Sequence, residues 1–199
     1  MTDDAVTTAQ TPARQRARDE LLAVALEQFA MAGFAGTSLQ QIADAAGYSK
    51  SSVLYHFASK EALLEAAIGP AIDKLADLLR DLGQVRRSPE SRGAFVEEFI
   101  DFLFAYRLEV HTFINQGQSL RGVPVIDRAN ALLGVLTGMF EAEMATPEEK
   151  VRFGMALGGA AYLLVAGMTF GRDVDMADDE FRQALAHTVS ELLTPHAAS

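Results

Sequence analysis

The sequence predicts an all-α protein, and three observations lead there. No stretch shows sustained period-2 alternation or an Asn-Gly hairpin. Apolar residues recur at three- and four-residue spacing through nine segments. Between those segments lie short breaks rich in Gly, Pro, Ser and Asp, such as RGVP and ATPEE. With 199 residues, 49% of them hydrophobic, the chain is long and apolar enough for one or two small domains with a real core.

The first helix is expected from Arg14 to Met31, with Leu21, Leu22, Ala25, Leu26 and Phe29 on one face and Gly33 ending it. Ser38 starts a second helix. Gln41, three residues on, makes a capping-box pattern. Leu39, Ile42, Ala43 and Ala46 form its apolar face, and Gly47 is placed to end it in a left-handed turn. Ser49 can cap a third, short helix through Phe57. Ser59 can cap a fourth, running to about Leu82, with Glu61 in its first turn. After the polar break DLGQVRRSPESRG, helices are expected near 93–107, 109–119, 125–143, 148–170 and 178–193. The domain division that follows is a disordered tail (1–13), a three-helix unit (14–58) and a larger helical domain (59–199).

Composition excludes several classes. There is no cysteine, so disulfides, thiolate catalysis and Cys-based zinc sites are ruled out. The N-terminal MTDDAVTTAQTPA lacks a basic start and an apolar core, so it does not read as a signal peptide. The net charge of −10 argues against a whole-surface affinity for nucleic acid. Residues 14–60 nonetheless hold 5 basic against 4 acidic groups. Residues 153–171 form a 19-residue uncharged run. Its five glycines and the arginines at both ends favour a buried helix over a membrane span, with Gly158, Gly159, Ala160 and Ala161 allowing close approach of another helix and one face meeting a second subunit. The acidic run 173–180 lacks the turn Gly and ligand spacing of an EF-hand and reads as acids at a helix start. No P-loop, GxGxxG, GxSxG or HExxH is present, and His56, His111, His187 and His196 are scattered; no enzyme activity, cofactor or metal is expected.

The second and third helices carry the functional signal. Ala43 lies four residues before Gly47, and Val53 six after it. This is helix-turn-helix spacing: a small residue where the helices cross, a glycine in the turn, and Val53 and Ile42 filling the junction. The second helix of such a unit offers its outer face to the DNA major groove. Ser49, Lys50, Ser51 and Ser52 in its first turn are short or basic groups suited to phosphates, and Tyr55 and His56 follow one turn later. Lys60 opens the next helix where a phosphate contact is possible.

The segment GFAGTSLQQIADAAGYSKSSVLYHFASKEALLEAAI, within residues 14–67, resembles the DNA-binding domain of the TetR family of bacterial transcriptional repressors. The resemblance implies a cytoplasmic bacterial homodimer of nine-helix subunits, nucleoid-associated when DNA-bound. Each subunit would bind double-stranded operator DNA through its first three helices. The last two helices (about 148–170 and 178–193) would pair with their partners, and a small, largely apolar effector would occupy the domain between. Carried over residue by residue, Ser38, Gln40, Lys50, Ser51, Ser52, Tyr55, His56 and Lys60 are the expected DNA contacts. A Gln at position 40 suits adenine. Many relatives have Leu-Tyr where this chain has Val53-Leu54, so the tyrosine arrives one place late, and Leu54 either meets a thymine methyl or packs inward. Arg14, Arg16 or Arg18 would reach the minor groove or a phosphate, or form a solvated helix start.

The later helices are rich in Phe and Met, by default core: Phe99, Phe102, Phe104, Phe113, Met139, Phe140, Met155 and Met168. Polar residues embedded among them, His111, Asn115, Gln116, Gln118 and Tyr162, suggest a pocket. Phe102, His111, Asn115, Gln118, Met139 and Tyr162 are the candidate effector contacts. Glu97, Glu98 and Asp101 read as a solvated face. A DNA-organising protein with a filled core and no effector is the nearest rival, and the sign of regulation is open to an activator.

Overall fold

The computed structural model describes residues 12–84, 89–141, 144, 146–170 and 178–194. The N-terminal residues 1–11 and most of the acidic run 173–180 lie outside the described residues, as do the side chains of 84, 89–92, 168–170 and 178, Met168 among them. Nine helices make up the described chain: α1 (Pro12–Ala32), α2 (Leu39–Ala45), α3 (Lys50–His56), α4 (Lys60–Gln84), α5 (Pro89–Ala105), α6 (Arg107–Gln116), α7 (Pro124–Glu141), α8 (Pro147–Phe170) and α9 (Asp178–Leu193).

Four of these helices begin on proline: Pro12, Pro89, Pro124 and Pro147. Proline suits the first helical position, where the missing N–H would have no partner and φ is already near the helical value. The same residues look like breaks in the sequence. That is why α5 starts at Pro89 and not at 93, and α1 at Pro12 and not at Arg14. The sixth helix is shifted toward the N-terminus at both ends. It occupies Arg107–Gln116, and residues 117–122 form turns that end with Gly122 at φ 89°.

The chain divides into two compact units, residues 1–67 and 68–199. In the first, Leu21, Ala25 and Phe29 of α1, Ile42 and Ala43 of α2, and Val53 of α3 are buried completely. The caps expected from sequence are in place. Ser38 Oγ accepts from the Gln41 N–H while Gln41 Oε1 accepts from the Ser38 N–H. Ser49 Oγ accepts from the Ser52 N–H, and Ser59 Oγ from the Ala62 N–H. Each of these bonds satisfies a helix-end N–H that has no partner within the helix.

In the second unit the core gathers Leu75, Leu78 and Leu79 of α4 with Phe95, Val96, Phe99 and Ile100 of α5, and with residues of α7, α8 and α9. An aromatic chain runs through it. Ring centroids are 5.8 Å apart for Phe95–Phe99 and for Phe95–Phe140, and 4.9 Å for Phe140–Phe153. Two arginines tie α9 down. Arg182 donates to Asp101 at 2.6 Å and to Glu97 at 3.0 Å, so two carboxylates expected to be merely solvated anchor α9 to α5. Arg152 of α8 donates to the carbonyls of Glu191 and Leu192, where the last turn of α9 leaves acceptors open. Among the described residues no helix is long and apolar enough to cross a membrane.

Candidate nucleic-acid interface and apolar cavity

The turn between α2 and α3 is built from backbone bonds. The Tyr48 N–H donates to Ala43 O at 2.8 Å and the Gly47 N–H to Asp44 O at 3.2 Å. Gly47 sits at φ 75°, with nothing within 4 Å of where a Cβ would stand. It is glycine for backbone conformation and not for space. Tyr48, which the sequence reading passed over, donates its hydroxyl to Glu20 of α1 at 2.6 Å and so fixes the turn to α1. That hydrogen bond to a carboxylate is the main reason the phenol titrates above its usual range.

Helix α3 then divides cleanly. Val53 is fully buried, and Phe57, the C-cap, is nearly so. Lys50, Ser51, Leu54 and Tyr55 are exposed, Leu54 at 45% and Tyr55 at 66%. Leu54 therefore does not pack inward, and the exposed order on this face is leucine, then tyrosine. Ser51 shares a hydroxyl–hydroxyl bond of 2.8 Å with Ser49, and half-buried Ser52 gives its N–H to the Ser49 cap.

Two guanidinium groups of α1 bracket the aromatic end of α3. Arg14 lies over the Tyr55 ring at 5.0 Å, and Arg18 over Phe57 at 5.3 Å. His56, whose ring meets Tyr55 edge-on at 5.2 Å, is held below the usual histidine range by desolvation first and by the charges of Arg14 and Arg18 next. It is a neutral imidazole at pH 7, able both to donate and to accept.

The remaining candidates have local partners. Ser38 serves the capping box of α2. Exposed Gln40 donates its amide to Asp44 at 2.7 Å along the same helix. The Lys60 ammonium donates to Phe34 O at 2.7 Å and Thr37 O at 2.8 Å, and lies 4.2 Å from the Phe34 ring centre. An ammonium has three donors, so one is left for another acceptor. The eight sequence candidates thus all belong to the first unit, and Lys50, Ser51 and Tyr55 share the outer face of α3.

The second unit contains a cavity of about 360 Å³. Ile68, Ala71, Ile72 and Leu75 of α4 line it, with Phe99, Phe102 and Leu103 of α5 and with parts of α6, α7 and α8. Of the effector candidates, Phe102 and Tyr162 line this space. His111, Asn115, Gln118 and Met139 are not among the lining residues. His111 is buried in α6, which lowers its pKa by desolvation. Asn115 donates to the His111 carbonyl. Gln118 is exposed after the helix, and Met139 packs on the core. The face of α6 that borders the cavity carries Glu109, Val110, Phe113 and Ile114. His111 and Asn115 lie two places round from Glu109 and Phe113, about 200° away on a helix of 3.6 residues per turn. Glu109 was missed, although its four-residue spacing to Phe113 was visible. Among the described residues no three His, Asp or Glu side chains could hold a metal ion together.

Comparisons with known proteins agree with this geometry. The family profile for bacterial regulatory proteins of the tetR family matches residues 21–67. The HTH-type transcriptional regulator RutR of Escherichia coli K12 is 35% identical over 146 residues, covering 71% of this chain and 64% of RutR's own length. The HTH-type transcriptional repressor KstR2 of Mycobacterium tuberculosis is 31% identical over 109 residues, 54% of each chain. In fold, the chain is similar to the solved ketosteroid regulator KstR2 of the same organism, with TM-score 0.64, 20% identity, and 92% and 95% of the two chains covered. It is also similar to AmtR of Mycobacterium smegmatis, with TM-score 0.69, 19% identity, and 96% and 90% covered. Residues 21–67 thus carry the helix-turn-helix segment of the tetR family of bacterial regulatory proteins, the similarity to RutR runs well past that segment, and the helical fold is shared with solved regulators.

Proposed function

We propose that the protein is a ligand-responsive transcriptional repressor that binds a near-palindromic operator as a homodimer. The observation that carries the reading is the two-sided α3: Val53 and Phe57 buried, with Lys50, Ser51, Leu54 and Tyr55 presented outward. Short side chains and one cation let such a helix enter a groove about 12 Å wide, and a phenol and a leucine meet base edges and methyls there. The contacts are Ser38, Gln40, Lys50, Ser51, Ser52, Tyr55, His56 and Lys60, with Lys60 also anchoring the α1–α2 loop.

Dimerisation runs through α8 and α9. On α8, Val151, Met155, Tyr162 and Leu163 are each more than half exposed. Gly154 and Gly158 lie among them with open space above. An apolar strip with small residues is suited to a second copy of the same helix. Two recognition helices then meet successive major grooves about 34–36 Å apart. The effector occupies the cavity, and this favours a ligand-controlled regulator over a DNA-organising protein with a filled core. Helix α4 is the covalent link, since Lys60 opens it and its later turns line the cavity. Pro70 lies inside it and cannot donate a backbone N–H, so the helix is locally softer there. An effector that binds better to a conformation with the wrong spacing of recognition helices releases the DNA.

Operator selection from random-sequence DNA, followed by gel shift, tests this. The expected result is a near-palindromic site bound by a dimer. Binding without sequence preference, or as a monomer with operator affinity, would sink the proposal.

A further inference from the structure

We propose that the cavity takes an apolar ligand bearing one cationic nitrogen, and that the Glu109 carboxylate recognises the charge. This rests on the effector reading above and names the chemical class it leaves open. Among the described residues, the polar side chains on the cavity lining are Glu109 and Tyr162. No Lys, Arg or His among the described residues lines it, so a carboxylate or phosphate finds no counter-charge among them and would meet Glu109 as a like charge. The remaining lining is aliphatic and aromatic, which suits an apolar body.

Glu109 itself has no counter-charge among the described residues. It forms no ion pair among the described residues, and it stands in the first turn of α6. Of the arginines from α6 to α7, Arg107 and Arg121 are exposed, and Arg128 is engaged with Asp73. Burial pushes the Glu109 carboxyl above its usual range, while the backbone N–H pulls it down. A partly desolvated carboxylate is costly until it is paired, and a ligand cation supplies the pair. Phe102, Phe113 and Tyr162 also line the cavity, and aromatic faces attract the same charge. A neutral ligand would fill the apolar space and leave the carboxylate without a partner.

One alkyl skeleton with three head groups tests the assignment on the full chain: octylamine, octan-1-ol and octanoate, by isothermal titration below micellar concentrations. Octylamine is expected to bind at least ~10-fold more tightly than octan-1-ol, with octanoate weakest. Glu109→Gln should remove the amine's advantage and leave octan-1-ol unchanged. Glu98→Gln, an exposed carboxylate on α5, should change neither, which separates the site from general attraction to an acidic surface. Octan-1-ol binding as tightly as octylamine, or an amine preference that survives Glu109→Gln, overturns the charge assignment alone. If none of the three binds, the ligand assignment falls, while operator selection still decides the repressor reading.

Discussion

The Lys60 ammonium holds the corner between α1 and α2: its Nζ is 2.7 Å from the Phe34 carbonyl oxygen and 4.2 Å from the centre of the Phe34 ring. A second bond of 2.8 Å reaches Thr37 O. Charged hydrogen bonds of this kind are worth more than neutral ones. Lys60→Ala should therefore destabilise the three-helix unit by about 2 kcal/mol, measured by denaturant unfolding. The same variant separates two roles. If Lys60 also neutralises a phosphate, the salt dependence of operator binding loses about one unit of slope; if it only staples the corner, the slope is unchanged.

Lys50 offers the contrasting case. It is exposed at the start of α3, and its side chain makes no hydrogen bond or ion pair among the described residues. Lys50→Ala should leave the melting temperature unchanged, weaken binding to all operator variants about equally, and reduce the salt slope by about one. Weakening confined to particular base substitutions would instead assign Lys50 to base readout.

Gly47 separates conformational strain from crowding. A Cβ there would meet nothing within 4 Å, but φ is 75°. Gly47→Ala should cost about 1–2 kcal/mol through backbone strain alone. Gly47→Asn should cost less, because asparagine tolerates the left-handed region better. Equal losses in chemical denaturation would contradict the strain account.

Two histidines give stability a pH dependence. His56 and His111 both have folded pKa values below the ordinary one, each chiefly through desolvation. Below about pH 6.5 the unfolded chain takes up protons that these two sites resist. Their contribution is thus complete above the unfolded pKa and is lost as pH falls toward the folded values. The melting temperature of the wild type should drop more between pH 7.5 and 5.5 than that of His56→Gln/His111→Gln. Comparing the two proteins cancels the carboxylates they share. Parallel curves would refute the assignment.

The exposed strip on α8 predicts assembly. Leu163→Glu places a charge where Leu163 is 51% exposed in the single chain. Sedimentation should show a monomer whose helix content is unchanged and whose operator affinity has fallen by orders of magnitude. A dimer of normal stability would move the interface elsewhere.

Much of this protein is decided locally, and that part was legible in the sequence. A serine at a helix start, a glutamine three residues later and a glycine in the left-handed region act within one turn of chain. Ser38, Gln41, Gly47, Ser49 and Ser59 therefore announced α2, α3 and α4 before any packing was known. The burial of Val53 beneath an exposed Tyr55 follows from the same short spacing.

Tertiary structure alone decided what depends on the rotation of one helix against several others. No local pattern told Lys60 to reach back 26 residues to Phe34, or Arg182 to reach 81 residues to Asp101. The cavity makes the point most clearly. The polar residues of α6 suggested His111 and Asn115 as ligand contacts, but helix packing turned Glu109 and Phe113 toward the space. On a helix with 3.6 residues per turn, a two-residue step is more than half a revolution, so polarity identified the element and packing chose the face.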